Sequence, residues 1–419
     1  MFAVGVVVLS GLPAMAWASE VDALLNKLVE KGLLTSSEAQ EVRHEMSPEI
    51  AQRDKDMEEK LKKAGPEWAQ RVSFNGDMRV RNEYRDRTDT ADVNRQRIRF
   101  RLGMKARVAD QLEVGARLAT GSQAGDISGT SDPVSTNQTL SDTFAKKNFN
   151  LDQAYVKYSP ETPVGSLAVL GGIFDNPFVA TPLVWDPDVT FGGAAIQWSH
   201  TFGQAQPFMN GGMFPIDSDS NSGYGVDNPT LFGIQGGVTF KPGLATGIEA
   251  LDNMRVKTSL AYYDYTNVMK NAIINTQPGN TSAAEDFNEL NPYFEVASQL
   301  FGGVPLAFWT DWVNNTAAPE QASGYQFGLR LGKATTPWDI KKGWEVGYFY
   351  QRLDADAAFD AFVDSDFGGG GTNHKGNVFY VTLAMLKNST ATLKYFNADE
   401  VKGAKSHEGR LQVDWMTKF

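Results

Sequence analysis

The stretch Asn94–Val108, NRQRIRFRLGMKARV, leaves its backbone few choices. Its odd-numbered positions are Arg95, Arg97, Arg99, Arg101, Gly103, Lys105 and Arg107. Its even-numbered positions are Gln96, Ile98, Phe100, Leu102, Met104, Ala106 and Val108. Alternate side chains of a strand point to opposite faces, so a strand here has one cationic and one apolar face. A helix, with about 3.6 residues per turn, would scatter the same arginines around its circumference. The segment is longer than a typical soluble strand of about five or six residues, yet it suits a tilted strand crossing a bilayer. An apolar outside and a charged inside are what a lipid-embedded, water-filled barrel needs. The competing reading is an antiparallel strand whose basic residues face bulk water. The rest of the chain decides between them.

The alternation recurs. Val72, Phe74, Gly76, Met78 and Val80 form one face, opposite Arg71, Ser73, Asn75, Asp77, Arg79 and Arg81. After a loop at 86–92 and the arginine strand, the turn Ala109-Asp110 leads to Leu112, Val114, Ala116 and Leu118 outside, with Glu113 and Arg117 inside. A polar loop follows from Gly121 to Lys147. Strands are then predicted through Ala154–Tyr158, Leu167–Phe174, Phe191–His200, Pro207–Phe214, Leu231–Phe240 and Arg255–Tyr265. A long loop at 267–290 precedes a less regular pair, Tyr293–Leu300 and Pro305–Val313, on either side of Gly302-Gly303. Gly324–Gly332, Trp344–Leu353, Asn377–Leu386, Thr390–Phe396 and Glu408–Phe419 complete the set. The count is sixteen, or fourteen without the irregular pair, and single-chain bacterial barrels have even numbers. Short turns alternating with long polar loops are the layout of such barrels. The expected fold is thus an all-β, transmembrane antiparallel β-barrel over residues 71–419.

Composition agrees. A mean hydropathy of -0.33 looks soluble, but a barrel places its apolar residues at every second position, where bulk hydropathy misses them. After the amino terminus, no run of about twenty apolar residues offers a spanning helix. The 40 glycines, 25 phenylalanines, 13 tyrosines and 9 tryptophans favour turns, strands and aromatic girdles. The absence of cysteine rules out disulfides and thiolate metal sites, and a formal charge of -11 argues against nucleic acid as a partner.

Residues 1–18 read as a signal peptide, with an apolar core ending in Ala16-Trp17-Ala18; the missing basic residues before it point to a start upstream of Met1. Residues 19–70 read as a short helical or coiled-coil extension into the periplasm. Val21, Leu24, Leu25, Leu28 and Val29 have helical spacing, and Gly32 is placed to end that helix. Thr35 followed by Glu38 is a capping box, and Ala64-Gly65-Pro66 breaks the charged run before it. At the other end, Leu411, Val413, Trp415 and Phe419 alternate with Gln412, Asp414, Met416 and Lys418. A last amphipathic strand closing on an aromatic resembles the signal that outer-membrane assembly machinery recognises, with Phe419 as the contact.

The segments ALLNKLVEKGLLTSSEA, the arginine-alternating second strand and GGIFDNPFVATPLVWDPDVTFGGAAIQW together resemble the bacterial trimeric porins, and within them the family described as "putative porin". The resemblance covers nearly the whole mature chain. It implies sixteen strands, a homotrimer and residence in the outer membrane of a Gram-negative bacterium, among lipid and lipopolysaccharide. It also implies that the third loop, at 175–190, folds inward as a constriction, with Asp175, Asp186 and Asp188 as its carboxylates.

The pore-lining candidates are Arg79, Arg81, Arg95, Arg97, Arg99, Arg101, Lys105, Arg107 and Arg117. Guanidinium groups spaced about 7 Å apart along a strand keep their charge at any physiological pH. Such a row suits passive diffusion of small hydrophilic solutes and ions with a preference for anions. About half of the arginines are expected to pair with lumenal carboxylates and brace the wall. Alternatives are a phosphate- or oxyanion-selective porin, which needs bidentate donors converging on one point, and a structural barrel tethered through its helical arm. An enzyme is not expected: His44, His200, His374 and His407 lie in no nucleophile motif. No cofactor and no catalytic metal are expected. Calcium at Asp217-Ser218-Asp219 or Asp354–Asp356 competes with plain solvated loop charge.

Overall fold

A computed structural model describes residues 70–88, 90–121, 132–141, 143–216, 229–243, 246–268, 279–281, 286–300, 302–403 and 406–419, with eight single positions between 25 and 42. The chain divides into two compact units, Met1–Ser73 and Phe74–Phe419. In the first, Leu25 and residues 27–29 are helical. The capping box forms: Thr35 donates its backbone N–H and its hydroxyl to the Glu38 carboxylate (2.8 and 2.7 Å), and the Glu38 N–H returns to Thr35 Oγ1 (3.3 Å). The expected signal peptide, the run 50–63 and Asp217-Ser218-Asp219 lie outside the described residues.

From Val72 on, the chain is built from strands: β1 (Val72–Arg87), β2 (Thr90–Ala109), β3 (Leu112–Thr120), β4 (Gln138–Thr139), β5 (Phe149–Tyr158) and β6 (Ser166–Asp175). They continue as β7 (Thr190–Ser199), β8 (Ala205–Pro215), β9 (Thr230–Phe240), β10 (Arg255–Thr266), β11 (Phe287–Leu300) and β12 (Val304–Asn315). The last are β13 (Ser323–Gly332), β14 (Trp344–Leu353), β15 (His374–Leu386), β16 (Ser389–Glu400) and β17 (His407–Lys418). Sixteen are long. Each pairs antiparallel with its sequence neighbours, and β1 pairs with both β2 and β17, which closes the barrel. The two-residue β4 pairs with β2 at Arg97 and Ile98, beyond the end of the shorter β3.

The closing β1–β17 ladder runs from Asp77 opposite Lys418 to Arg87 opposite Glu408, and Gly76 extends it to Phe419. Gly76 donates to the Phe419 carbonyl (2.8 Å) and accepts from the Phe419 N–H (3.0 Å). A Cβ on Gly76 would lie 2.6 Å from the Phe419 ring, so a larger residue would push the last aromatic off the seam.

The outer face carries the apolar half of each alternating pattern. Phe74, Met78 and Val80 on β1, Leu102 and Met104 on β2, and Leu411, Val413 and Trp415 on β17 are all exposed. Exposed apolar rows on successive strands are the lipid-facing band of a barrel. Among the described residues, no helix is long and apolar enough to cross a membrane.

Two boundaries differ from expectation. The loop expected at 86–92 is shorter, with β1 running to Arg87 and β2 starting at Thr90, because the charged residues there alternate correctly and simply extend both strands. The loop expected at 267–290 ends at residue 286, and the irregular pair is β11 with β12, strands of 14 and 12 residues. The sequence signal was weak because Pro292 interrupts the ladder. The register on either side sets Pro292 against Trp312, yet neither residue is paired there. A proline has no N–H to give; the Asn291 amide donates to the Trp312 carbonyl instead (2.5 Å).

Candidate functional site

Strand alternation places Asp77, Arg79, Arg81, Glu83, Arg85 and Arg87 of β1 on the inner face. Arg95, Arg97, Arg99 and Arg101 of β2 and Glu408, Arg410, Gln412 and Asp414 of β17 join them. The β1–β17 register sets Arg81 against Asp414 and Arg87 against Glu408. Arg81 makes a two-pronged contact with Asp414, from Nε to one oxygen (2.7 Å) and from Nη2 to the other (2.8 Å). Arg95 donates to Glu83 (2.5 Å), Arg87 to Glu408 (2.5 Å), and Arg99 and Arg101 to Asp77 (2.9 and 2.8 Å). Charge-assisted contacts of this fork geometry are the strong ones.

Pairing is more complete than the expected half. Seven of the nine predicted cations have a carboxylate within 4.0 Å: Arg79, Arg81, Arg95, Arg97, Arg99, Arg101 and Arg117. Arg79 and Arg97 are the loosest, at 4.0 and 3.8 Å, and lean on Asn137 and Ser135. Arg117 sits apart with Asp152 and Asp175. Lys105 and Arg107 are exposed and make no ion pair among the described residues. The physical reason is charge density: so many cations in a confined space repel unless carboxylates are interleaved.

Opposite this wall, loop 3 (176–189) folds inward, and the three carboxylates carried over from the resemblance have three different roles. Asp188 reaches the arginines, with Oδ1 at 3.4 Å from both Arg99 and Arg101. Burial pushes its carboxyl up, but the Arg99 and Arg101 guanidiniums hold it below the usual range. Asp175 stands at the loop's edge and accepts from Arg117 (3.2 Å). Asp186 does not face the arginines. It is buried, its carboxylate accepts the backbone N–H groups of Ser365 and Asp188 (2.8 Å each), and burial followed by the nearby Asp364 pushes it well above the usual range. It braces loops rather than lining the constriction.

Loop 3 is not the only loop inside the barrel. Loop 7 (354–373) enters as well, and its Asp366 bridges Arg81 (3.0 Å) and Arg410 (2.9 Å). Burial acts upward on Asp366, but those two arginines hold it well below the usual range. A piece of loop 2 (132–137) completes the set, with Thr136 donating its N–H and hydroxyl to Asp188 (3.2 and 2.8 Å). Asp354–Asp356 is correspondingly not solvated loop charge: Asp356 is 1% exposed and accepts from Thr281, while Asp354 accepts from Arg352.

What holds these loops is an apolar core on the far side of the lumen. Phe178, Leu183, Val184, Trp185 and Val189 of loop 3 pack with Phe359, Ala361 and Val363 of loop 7 against Phe191, Phe214, Leu231, Tyr263, Tyr265 and Phe287 of the wall. Trp185, 3% exposed, is the hub: its ring centroid lies 4.8 Å from Phe191, 5.3 Å from Tyr263 and 5.9 Å from Phe362. Buried polar ties fix the register of loop 3. Thr181 donates its N–H and hydroxyl to Asp311 (2.8 Å each), and Gln235 exchanges two hydrogen bonds with the Val179 backbone. Toward the Phe419 end, the space beside the arginines widens into a cavity of about 310 Å³ lined by Asn75, Asp77, Arg101, Arg117 and Lys418.

Loop 7 had a partial signal in the sequence, an acidic stretch followed by Gly368–Gly371. Nothing local says that it folds inward. Its Asp360, fully buried, has its carboxyl pushed up to about 7 by burial. A carboxyl that holds its proton more tightly when docked supports docking fully below about pH 4 and withdraws that support as pH rises through 7. Asp366 acts oppositely, but only in strong acid, below its ordinary range near 3.8. Loop 7 is therefore expected to loosen between about pH 4 and 7, by up to about 4 kcal/mol from Asp360 alone. Proteolysis of the loop across that range should accelerate in wild-type protein and stay flat in Asp360→Asn; a flat wild-type profile would contradict it.

A sequence profile of the family described as "Putative porin" matches residues 85–299 and 295–419. No curated protein sequence matches this chain. Among solved structures, Pseudomonas putida OprB, determined at high pH, superposes with a TM-score of 0.52 at 12% identity over 83% of this chain and 94% of its own. A mutant of Rhodopseudomonas blastica porin gives 0.43 at 11% identity over 83% of this chain and 100% of its own. The OprB likeness is one of fold. With the family profile matching most of the chain and the strands closed into a sixteen-strand barrel, the protein belongs to the putative-porin family of outer-membrane diffusion channels.

Proposed function

We propose that small hydrophilic solutes and ions diffuse passively past the arginine wall, with anions preferred. The observation that carries this reading is a charge count. Among the described residues, Arg79, Arg81, Arg87, Arg95, Arg97, Arg99, Arg101 and Arg410 share six carboxylates, Asp77, Glu83, Asp188, Asp366, Glu408 and Asp414, and Arg85 beside them pairs with none. Nine cations against six anions leave three positive charges in excess. Inside a narrow, low-dielectric wall that excess raises the local anion concentration. The paired charges set a field across the constriction without trapping the solute.

The test is the reversal potential across a planar bilayer under a salt gradient. Wild-type protein should read anion-selective. An Arg97/Arg99/Arg101→Gln variant should swing toward cations, because it removes three positive charges and uncovers Asp77 and Asp188. A wild type with no anion preference would end the proposal; folded protein with no conductance would replace the open pore by a plugged or structural barrel. The same reading takes the chain as a homotrimer, the arrangement the family resemblance implies, with residues 19–70 in the periplasm. It takes Phe419, which sits at the closing seam, as the contact for the assembly machinery.

A further inference from the structure

The carboxylates and arginines at the long-loop end of the wall are not equally accessible. Glu83 is 0% exposed and Glu408 4%, whereas the side chains that cover them, Arg95 and Arg87, are 26% and 28% exposed. Each carboxylate is also already shared, Glu83 between Arg95 and Arg97 and Glu408 between Arg87 and Arg410. A solute entering from this end meets guanidinium, with the compensating charge beneath it.

Arg85 lies in the middle of this surface and is the anomaly. The strand register sets it directly opposite Arg410, a like-charge pairing that is destabilising on a bare sheet. Arg410 is satisfied by Glu408 and Asp366. Arg85 makes no ion pair among the described residues, and its Nε is buried with no hydrogen-bond partner. A half-buried guanidinium without a carboxylate partner is a cation that an anionic ligand would stabilise. Loop 7 supplies a close backbone wall beside the neighbouring Arg87. Gly368, Gly369, Gly370 and Gly371 all have positive φ, from 62 to 94°. A Cβ on Gly369 would lie 1.6 Å from Arg87 Nη2, and its φ of 94° favours glycine at this position.

We infer that Arg85, flanked by Arg87 and Arg95, forms an oxyanion-binding subsite at the loop-side mouth of the lumen, where a phosphate or carboxylate group is held before it passes the constriction. The planar fork of each arginine suits two oxygens of such a group. The subsite rests on the anion-preferring reading above, and it adds a place and a ligand class to it.

The experiment is single-channel conductance as a function of concentration, with inorganic phosphate as the probe and chloride as the reference. Wild-type conductance in phosphate should saturate. Arg85→Gln should raise the half-saturating concentration by about tenfold or make the curve linear, since charge-assisted hydrogen bonds are lost. Arg85→Lys, which keeps the charge and loses the fork, should fall between them and guards against a folding defect in the neutral variant. Arg330→Gln removes the same charge from the inner face of β13, away from the subsite, and should saturate like wild type. Saturation that survives in Arg85→Gln, or is lost equally in Arg330→Gln, overturns the subsite while a chloride reversal potential still reads anion-selective. If wild-type chloride selectivity is itself absent, the pore reading fails and the subsite with it.

Discussion

Asp366→Ala is expected to release loop 7 from the arginine wall and raise the single-channel conductance. The carboxylate bridges Arg81 and Arg410, whose side chains are 4% and 2% exposed. Removing one partner of a buried pair typically costs about 3–5 kcal/mol, because the remaining charge stays desolvated and uncompensated. The lower end applies here, since Arg81 keeps Asp414 and Arg410 keeps Glu408. The hydrogen-bonded barrel ladder is untouched, so the loss falls on the loop. Asp366→Asn should act in the same direction and less strongly, retaining one acceptor oxygen. Conductance and the rate of proteolytic cleavage within 354–373 should rise together. Unchanged values for both would mean that loop 7 is held by its apolar contacts and not by this bridge.

Trp185→Ala attacks the other anchor. The indole joins loop 3, loop 7 and the barrel wall in one aromatic cluster, stacking on Phe362 at an interplanar angle of 28° and meeting Tyr263 edge-on at 86°. Truncating a buried tryptophan to alanine typically costs about 3–5 kcal/mol through lost transfer energy and the cavity left behind, and edge-to-face partners add roughly 0.5–1.5 kcal/mol each. Trp185→Phe should recover much of this, because the indole Nε1 has no hydrogen-bond partner to lose. The expected result is a wider, noisier channel whose loops 3 and 7 become protease-sensitive together. Thermal unfolding of the variant should show a low-temperature loop transition ahead of the barrel. A single unshifted transition would place the cluster outside the forces that position the constriction.

The two variants separate the loops' two kinds of support. On one side of the lumen, charges tie the loops to the wall; on the other, an apolar core does. Acidic groups sit on both sides with opposite responses to pH. Asp366 and Asp188 are held ionised by arginine, whereas Asp360 and Asp186 are pushed toward the protonated form by burial. Rising pH thus leaves the arginine contacts intact and weakens the seam between loop 7 and the core.

Strand identity, facing and barrel class were legible in the sequence because they are local. A period of two over Arg95–Arg107 can be satisfied only by a strand, and lipid on one side with water on the other decides which face is which. The closing strand was legible for the same reason, as was the Thr35–Glu38 cap, which spans three residues. The irregular β11–β12 pair was read correctly as strands, but Pro292 blurred its edges.

Only the tertiary structure decided which loops fill the lumen and which carboxylates meet which arginines. Asp366 lies 285 residues along the chain from Arg81, and Asp414 lies 333. No periodicity links such positions; barrel closure brings them together, and the inward fold of loop 7 depends on whether its phenylalanines find Trp185 and the wall. Asp186 shows the same division. Its place in the third loop was readable from the chain, but its direction was set by loop 7 packed against it. Alternation records the solvent on either side of a strand, and it holds no information about what fills the space between distant walls.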